Sequence, residues 1–418
     1  MKTRVVILAG GEGTRLSVLT AKRTKPAVPF AGKYRIIDVA LSHCVNSSLC
    51  DVMIIAQYRP HSLIEHIGAG GPWDLNRDFT GGVRIYTPYR AKHAEWFLGT
   101  ADAVQQNFVF VKSTNPDLVL ILSGDHIYKM NYASLINHHL SKNADVTLTT
   151  IKVPIEEASR FGIINTDEDE RVVSFIEKPE HPQSNLVNMG VYSFNSNVLD
   201  QALWQDHLIK ESSHDFGKDI IPALVKSGAR VYSYYYAGYW MDVGTLESYW
   251  QAHMGLLETP PSLELNDRGW IIHTKTEERS PARIETGAVV DNSLICDGCV
   301  LESGSKVIHS ILSPGVRVSK NSIIQDSIIL TDTSIGSESV IHQSIVDKKV
   351  TIGTGVRMGA PLLDTLKITV IGRNAFIPDG TTIESNVTIG TDVHGPDLPL
   401  PRIPFGTTIY TRRLPNEL

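Results

Sequence analysis

Val5-Val6-Ile7-Leu8-Ala9-Gly10-Gly11-Glu12-Gly13-Thr14-Arg15-Leu16 is the stretch from which the chain's organisation follows. Its first five residues are uncharged and rich in β-branched side chains, the mark of a strand buried on both faces of a parallel sheet. The run then breaks into Gly10, Gly11 and Gly13. A glycine-dense turn at the carboxyl end of such a strand lets bare N–H groups approach an anion, because no Cβ stands in the way. Arg15 and the cationic segment Lys22-Arg23-Thr24-Lys25-Pro26 add mobile positive charge. The combination suits a polyphosphate. Two familiar phosphate loops do not fit: G-x-x-x-x-G-K-[ST] is missing, and counting G-x-G-x-x-G from Gly11 puts Leu16 in the third glycine slot.

The chain's 418 residues exceed what one hydrophobic core organises, so two domains are expected. Its 39 basic and 45 acidic side chains leave a net charge of −6. That argues against nucleic acid or an anionic membrane as partner, and any phosphate site must be a local concentration of cations. Four cysteines make no disulfide framework; Cys296 and Cys299 have half a zinc spacing with no second pair, and read as small buried residues. No signal-type apolar region opens the chain and no window reaches membrane-spanning length, so the expected location is the cytoplasm.

From residue 4 to about 255, strands alternate with helical patterns, which predicts α/β architecture with a mostly parallel, Rossmann-like sheet. Strands are expected at Asp51–Gln57, Leu118–Leu122, Val146–Val153, Val172–Ile176, Val191–Phe194 and Val231–Tyr236, and helices at Thr100–Val111, 131–142 and Leu246–Leu257. Residues 1–257 read as one domain and 258–282, bounded by Pro260-Pro261 and Pro281, as a linker. Beyond it the period changes. Triplets starting at Ser293, Ser310, Ser327 and Ser344 recur every 17 residues, and Ile371, Ile377, Ile383 and Ile389 every six. Three faces of about six residues make one coil of a parallel β-helix, so residues 283–418 read as such a domain, with Gly298, Gly315, Gly336, Gly353 and Gly372 at its corners.

Ligands of an open α/β sheet sit beyond the carboxyl ends of its strands. The 10–16 loop, Asp125 after its strand and Asp242 in Gly238-Tyr-Trp-Met-Asp-Val-Gly-Thr245 are expected there. Two carboxylates facing a polyphosphate make sense with a hard cation between them, and Mg²⁺ takes one or two carboxylates plus phosphate oxygens. Glu177 offers acceptors for sugar hydroxyls, and Lys178 a point charge for a monophosphate. Gly99 and Thr100 begin a helix whose free N–H groups could face a nucleotide.

The pattern G-G-x-G-[ST]-R-L with Lys25-Pro26 resembles the signature of sugar-1-phosphate nucleotidyltransferases. Longer stretches carry the likeness further: Lys25–Asp38, Gly99–Val104, Ser123–Tyr128, Pro154–Gly162, His214–Pro222 and Gly238–Trp250 resemble the glucose-1-phosphate adenylyltransferase family over nearly the whole chain. The resemblance implies synthesis of ADP-glucose and pyrophosphate from ATP and glucose 1-phosphate, with Mg²⁺, for α-glucan synthesis. It assigns Gly10, Gly11, Gly13, Thr14, Arg15, Lys25, Gly99 and Thr100 to ATP, and Asp125 and Asp242 to the metal. Phe97, Gly162, Glu177, Lys178 and Asn188 fall at glucose 1-phosphate positions, Gln57 and Trp96 at relay positions, and Lys22 at an effector position. It also implies a left-handed β-helix, a homotetramer, and sugar-phosphate and nucleotide effectors. Phe97 stands where a tyrosine is common, Asn188 where a serine is usual, and Asn131 replaces a common aspartate. The rival readings are a related enzyme using another nucleotide or sugar, a non-catalytic regulatory subunit, and acyl transfer by the β-helix through His309 or His342. Neither histidine has a partner identifiable from sequence.

Overall fold

The structure is a computed structural model and describes residues 1–77, 80–88, 96–361, 366–399 and 401–413. The chain forms two compact units. The first comprises Met1–Gly11, Ile37–Trp240 and Arg268–His273; the second comprises Glu12–Ile36, Met241–Asp267 and Thr274–Leu418.

The first unit is built on a nine-stranded sheet. We label its strands β1 (Thr3–Ala9), β2 (Asp51–Ala56), β3 (Gly82–Tyr86), β4 (Leu118–Ser123), β5 (Val146–Lys152), β6 (Gly162–Thr166), β7 (Val172–Glu177), β8 (Leu186–Asn195) and β9 (Val231–Tyr235). The order along the main path is β7-β6-β8-β4-β1-β2-β3, and β5 pairs with both β8 and β9. Strands β4, β1, β2 and β3 are mutually parallel. This is the half that the apolar runs foretell, for Val5, Val6, Ile7, Val52, Met53, Ile54 and Val119–Leu122 are all fully buried. On the other side β8 runs antiparallel to β4, β5 and β6, and β7 antiparallel to β6.

The helical stretch expected over Thr100–Val111 is two helices, Thr100–Gln106 and Phe108–Lys112. Asn107 breaks it: its backbone leaves helical geometry, and its side-chain amide donates to the Ala103 carbonyl at 2.9 Å. Residues 268–273, inside the stretch read as a linker, are docked rather than free. Trp270 donates its indole N–H to His43 Nδ1 at 2.9 Å, and the His273 N–H donates to Ser42 Oγ at 2.8 Å. Both acceptors lie on the helix α1 (Ile36–Asn46).

In the second unit the 17-residue repeat becomes coils of a β-helix with three parallel sheets of six, seven and seven strands. Leu294, Ile311, Ile328 and Ile345 stand in register in successive coils, and Val346 is followed by Ile371 and Ile389. The serines that open the triplets form a ladder. Ser293 Oγ accepts from the Ser310 N–H, Ser310 Oγ from Ser327, and Ser327 Oγ from Ser344, at 3.0–3.1 Å. A small hydroxyl at this corner therefore satisfies the next coil's backbone donor, a physical reason for the repeat. Gly336 and Gly353 answer another constraint, since a Cβ on Gly336 would stand 2.5 Å from the Gly353 carbonyl carbon. The hairpin Pro29–Phe30/Tyr34–Arg35 and the helix Leu246–Met254 belong to this unit. Tyr249 donates to the Pro29 carbonyl at 2.6 Å, and Trp250 to the Asp326 carbonyl at 2.9 Å. Cys299 is buried and Cys296 half-buried, both as free thiols. Among the described residues no helix is long and apolar enough to cross a membrane.

Candidate active site

In the first unit, the carboxyl ends of β1, β2 and β4 lie side by side, because Leu8 pairs with Ser123 and Ala9 with Ala56. Gly10–Gly11, Gln57 and Asp125 therefore emerge from three neighbouring strand ends. The residue before Asp125 must be small: a Cβ on Gly124 would stand 3.0 Å from Ile7 Cγ2 and 3.1 Å from the Leu8 carbonyl oxygen. Ser123 Oγ donates to Asp125 Oδ1, and His126 Nε2 lies 3.6 Å from the same oxygen. Gln57 is buried and donates to the Phe97 carbonyl at 3.3 Å, while the Trp96 ring, half exposed, meets Tyr58 edge-on at 5.2 Å. Phe97 itself is buried in the apolar core with Val104 and Phe108. A ring in that setting has no need of a hydroxyl.

The sugar-phosphate candidates form a second group in the same unit. Glu177 stands opposite Gly162 across the antiparallel β6–β7 pair. A Cβ on Gly162 would lie 2.5 Å from Phe175 Cζ and 2.8 Å from Glu177 Oε2; one on Gly217 would also lie 2.8 Å from that oxygen. The carboxylate thus rests over two stretches of bare backbone. Lys178, at φ 45, sets its Nζ 3.0 Å from Glu177 Oε1 and remains largely exposed. Asn188 is held at both ends of its amide: its Oδ1 accepts from the Gly190 N–H at 3.1 Å and its Nδ2 donates to Tyr192 Oη at 2.7 Å.

One sequence expectation needs correction. The N–H groups that open the helix after Gly99 are not free, since Ala101 and Asp102 donate to the His214 carbonyl at 2.8 and 3.3 Å. A Cβ on Gly99 would stand 2.2 Å from that oxygen. Thr100 Oγ1 donates to Asp215 Oδ2 and accepts from the Phe216 N–H, at 2.9 and 3.0 Å. The glycine is there for close packing of the His214 strand of chain.

In the second unit the rest of the opening motif meets a residue from far along the chain. Gly13 has φ 70, and its carbonyl accepts from Thr20 Oγ1 at 2.9 Å, which fixes the turn that carries Thr14 and Arg15. Lys25 is buried, and its Nζ lies 2.9 Å from Asp242 Oδ1. A Cβ on Gly244 would stand 2.9 Å from Asp242 Oδ1 and 3.1 Å from an Arg15 guanidinium nitrogen. Arg15 and Asp242 therefore meet over Gly244, and Lys25 reaches the same Asp242 carboxylate. Among the described residues no three or more His, Cys, Asp or Glu side chains are grouped as a metal cage. Mg²⁺ does not require one. It takes one or two carboxylates and completes its shell with phosphate oxygens and water.

A further cationic group in the second unit escaped sequence reading. Arg23 pairs with the buried Asp347, and Lys22 with Asp392, which also accepts from Asn374 Nδ2 at 2.9 Å. Beside Asp347, Lys348 has its ammonium pulled down to about 8, first by burial and then by the nearby charges of Arg35 and Arg23, with Arg373 adding to them. Arg23 adjoins Lys22 in sequence, but Lys348 and Arg373 arrive from separate coils and leave no local signal. Of the β-helix histidines, His309 departs from expectation, its Nδ1 meeting Asp326 Oδ1 at 2.6 Å, whereas His342 Nδ1 has no partner among the described residues.

Residues 4–259 match the model of the nucleotidyl transferase family, and residues 280–365 match one described as GlmU-like, C-terminal hexapeptide. Together with the sheet and the coils, these define the class: a nucleotidyl transferase joined to a left-handed hexapeptide β-helix. The chain is 49% identical over 416 residues, 97% of each chain, to a glucose-1-phosphate adenylyltransferase of Thermomicrobium roseum. The enzyme of the same name from Thermotoga maritima is 48% identical over 98% of this chain and 99% of its own. One from Clostridium botulinum is 52% identical over 71% of this chain and 77% of its own. This chain belongs to the glucose-1-phosphate adenylyltransferase family.

Proposed function

We propose that the chain transfers the adenylyl group of ATP to glucose 1-phosphate, yielding ADP-glucose and pyrophosphate. The observation that carries this reading is the meeting of Arg15 and Lys25 at the Asp242 carboxylate beside Gly244, which gathers the phosphate-loop cations with a distant acidic group. An oxygen of the sugar phosphate attacks the α-phosphorus, the bond to the β-phosphate oxygen breaks, and pyrophosphate departs. The nucleophile is already an anion at neutral pH, so no general base is needed. The work is to hold two like-charged reactants in line.

Gly10, Gly11, Gly13, Thr14, Arg15 and Lys25 hold the ATP phosphates in this reading, with Gly99 and Thr100 contributing by shape. Gly162, Glu177 and Lys178 hold the sugar phosphate, beside Asn188 and the Phe97 backbone. Asp125 and Asp242 would hold Mg²⁺, which when bound draws charge off the α-phosphate and the leaving pyrophosphate. Lys25 neutralises Asp242 until substrate arrives. Lys22, with the cations around Lys348, suits an anionic sugar-phosphate or nucleotide effector, and Gln57 and Trp96 relay its binding. Domains at 1–257 and 283–418, a cytoplasmic homotetramer and a place in α-glucan synthesis complete the proposal.

The test is product formation by the purified chain, with each nucleoside triphosphate offered alongside glucose 1-phosphate. ATP should give ADP-glucose fastest. Preference for another nucleotide, or no turnover by the single chain, overturns the reading.

A further inference from the structure

Asn188 falls at a position assigned to the sugar, yet each end of its amide already has a partner within the protein. Strand β8 carries a bulge there: Asn188 pairs with Thr150 and Tyr192 with Leu148, so four steps along β8 match two along β5. The Asn188 side chain spans this irregularity, accepting from the Gly190 N–H and donating to Tyr192 Oη. Tyr192 is itself buried. What the bulge delivers is the backbone of Met189 and Gly190. The Met189 carbonyl accepts from His126 Nδ1–H at 3.1 Å. Gly190, at φ +69, faces both flanking side chains: a Cβ on it would make ordinary contact with Ser123 Cβ at 3.4 Å and His126 Cε1 at 3.6 Å. Ser123 and His126 are the two side chains that flank Asp125, one donating to Oδ1 and the other 3.6 Å from it.

We propose that Asn188 is a positioning residue: by bracing the β8 bulge it sets Met189 and Gly190 against His126 and Ser123, and so fixes the Asp125 carboxylate. The proposal rests on the reading of Asp125 as the metal-organising carboxylate. It explains why an asparagine works where a shorter side chain would serve a sugar hydroxyl equally well. A serine could still accept from the Gly190 N–H, as hydroxyls do two residues along, but it cannot reach Tyr192 Oη. Groups that orient a metal-binding side chain, when removed, typically change affinity or activity tenfold or more.

The experiment compares Asn188→Ser with Tyr192→Phe in the full chain. The second removes one hydroxyl from a buried ring that is not itself among the proposed substrate positions, so it remains informative if the first folds poorly. Both should raise the Mg²⁺ concentration for half-maximal turnover by about tenfold, with the KM for glucose 1-phosphate changed less than about twofold. In both, the ¹⁵N resonance of His126 Nδ1 should lose the signature of a proton shared with a carbonyl. A raised sugar KM at unchanged Mg²⁺ dependence makes Asn188 a direct sugar contact and overturns the proposal. So does an unaltered His126 resonance. If Asp125→Asn keeps full turnover, the metal reading fails instead, and the His126 resonance in Tyr192→Phe still decides whether the brace exists.

Discussion

Lys25 Nζ and Asp242 Oδ1 stand 2.9 Å apart, joining residues 217 positions distant in the sequence. Both side chains are largely shielded, at 7% and 13% exposure, so neither charge is solvated well alone. Removing one partner of a buried pair typically costs about 3–5 kcal/mol, less where another cation such as Arg15 stands by the survivor. We expect Lys25→Met and Asp242→Asn each to destabilise the second unit by about 2–3 kcal/mol, less than the buried limit because water reaches the site. The double variant should recover about 1–2 kcal/mol. Urea unfolding of the four proteins measures this, and strictly additive losses would mean that the contact carries no coupling.

Asp125 is placed by the end of β4, the hydrogen bond from Ser123 and the bare approach of Gly124 to β1. Its substitution by asparagine keeps the volume and removes the charge. Turnover should fall by about two orders of magnitude or more, as for loss of one preorganised electrostatic group. The circular dichroism and melting temperature should stay close to those of the parent chain. Near-normal turnover would take Asp125 out of the reaction.

The cationic group around Lys348 gives a dependence on pH. Burial and neighbouring cations lower this ammonium to about 8, from its ordinary 10.5. The folded state therefore binds fewer protons than the unfolded state between those values, so this lysine makes stability rise with pH from about 8 to 10.5. An anion bound there gains most while the ammonium is charged. Inorganic phosphate should bind more weakly as pH passes 8, and Lys348→Met should flatten that dependence while weakening binding at pH 7 about fivefold, or about 1 kcal/mol. Calorimetric titration at pH 7 and 9 reads both effects. An affinity that is unchanged in the variant removes Lys348 from the anion's surroundings.

What sequence reveals here follows the range over which each feature is specified. The coils were legible because every turn restates the same local requirement, a serine hydroxyl for the next coil's N–H followed by inward aliphatic residues. The same repeat could have predicted the His309–Asp326 contact, since positions 309 and 326 differ by one 17-residue turn. The parallel half of the sheet was legible from its unbroken apolar strands, and the motif carrying Arg15 and Lys25 from its glycines. The bulge in β8 was marked only by Gly190, a lone glycine inside a strand pattern, and nothing in the sequence pointed to the contact between Asn188 and Tyr192 that spans it. Lys348 and Arg373 were hidden for another reason: folding, not spacing, brings them beside Arg23 and Arg35. The occupied N–H groups after Gly99 depend on the His214 carbonyl, more than a hundred residues away.

Two buried histidines, one in each unit, make acid stability a further test. His43 donates from Nε2 to the Tyr128 carbonyl at 2.6 Å and accepts at Nδ1 from Trp270 at 2.9 Å. His253 donates from Nδ1 to the Tyr249 carbonyl at 2.8 Å and accepts at Nε2 from the Ala31 N–H at 3.1 Å. Each ring has one donor and one acceptor in use, which only the neutral imidazole can supply. Burial accordingly pushes both down to about 4 from 6.5. Above 6.5 both states of the chain hold these rings neutral; below it the unfolded chain takes up protons that the folded chain refuses until about pH 4. Stability is thus intact above pH 6.5 and lost progressively as pH falls toward 4, by roughly 3 kcal/mol for each histidine across the window. Urea unfolding at pH 7 and 5 should show the loss in both units. His43→Gln should flatten it in the first unit and His253→Gln in the second, each at some cost in stability at pH 7 because one hydrogen bond is weakened. If the two variants retain the parent's slope between pH 7 and 5, these rings are not the groups that titrate.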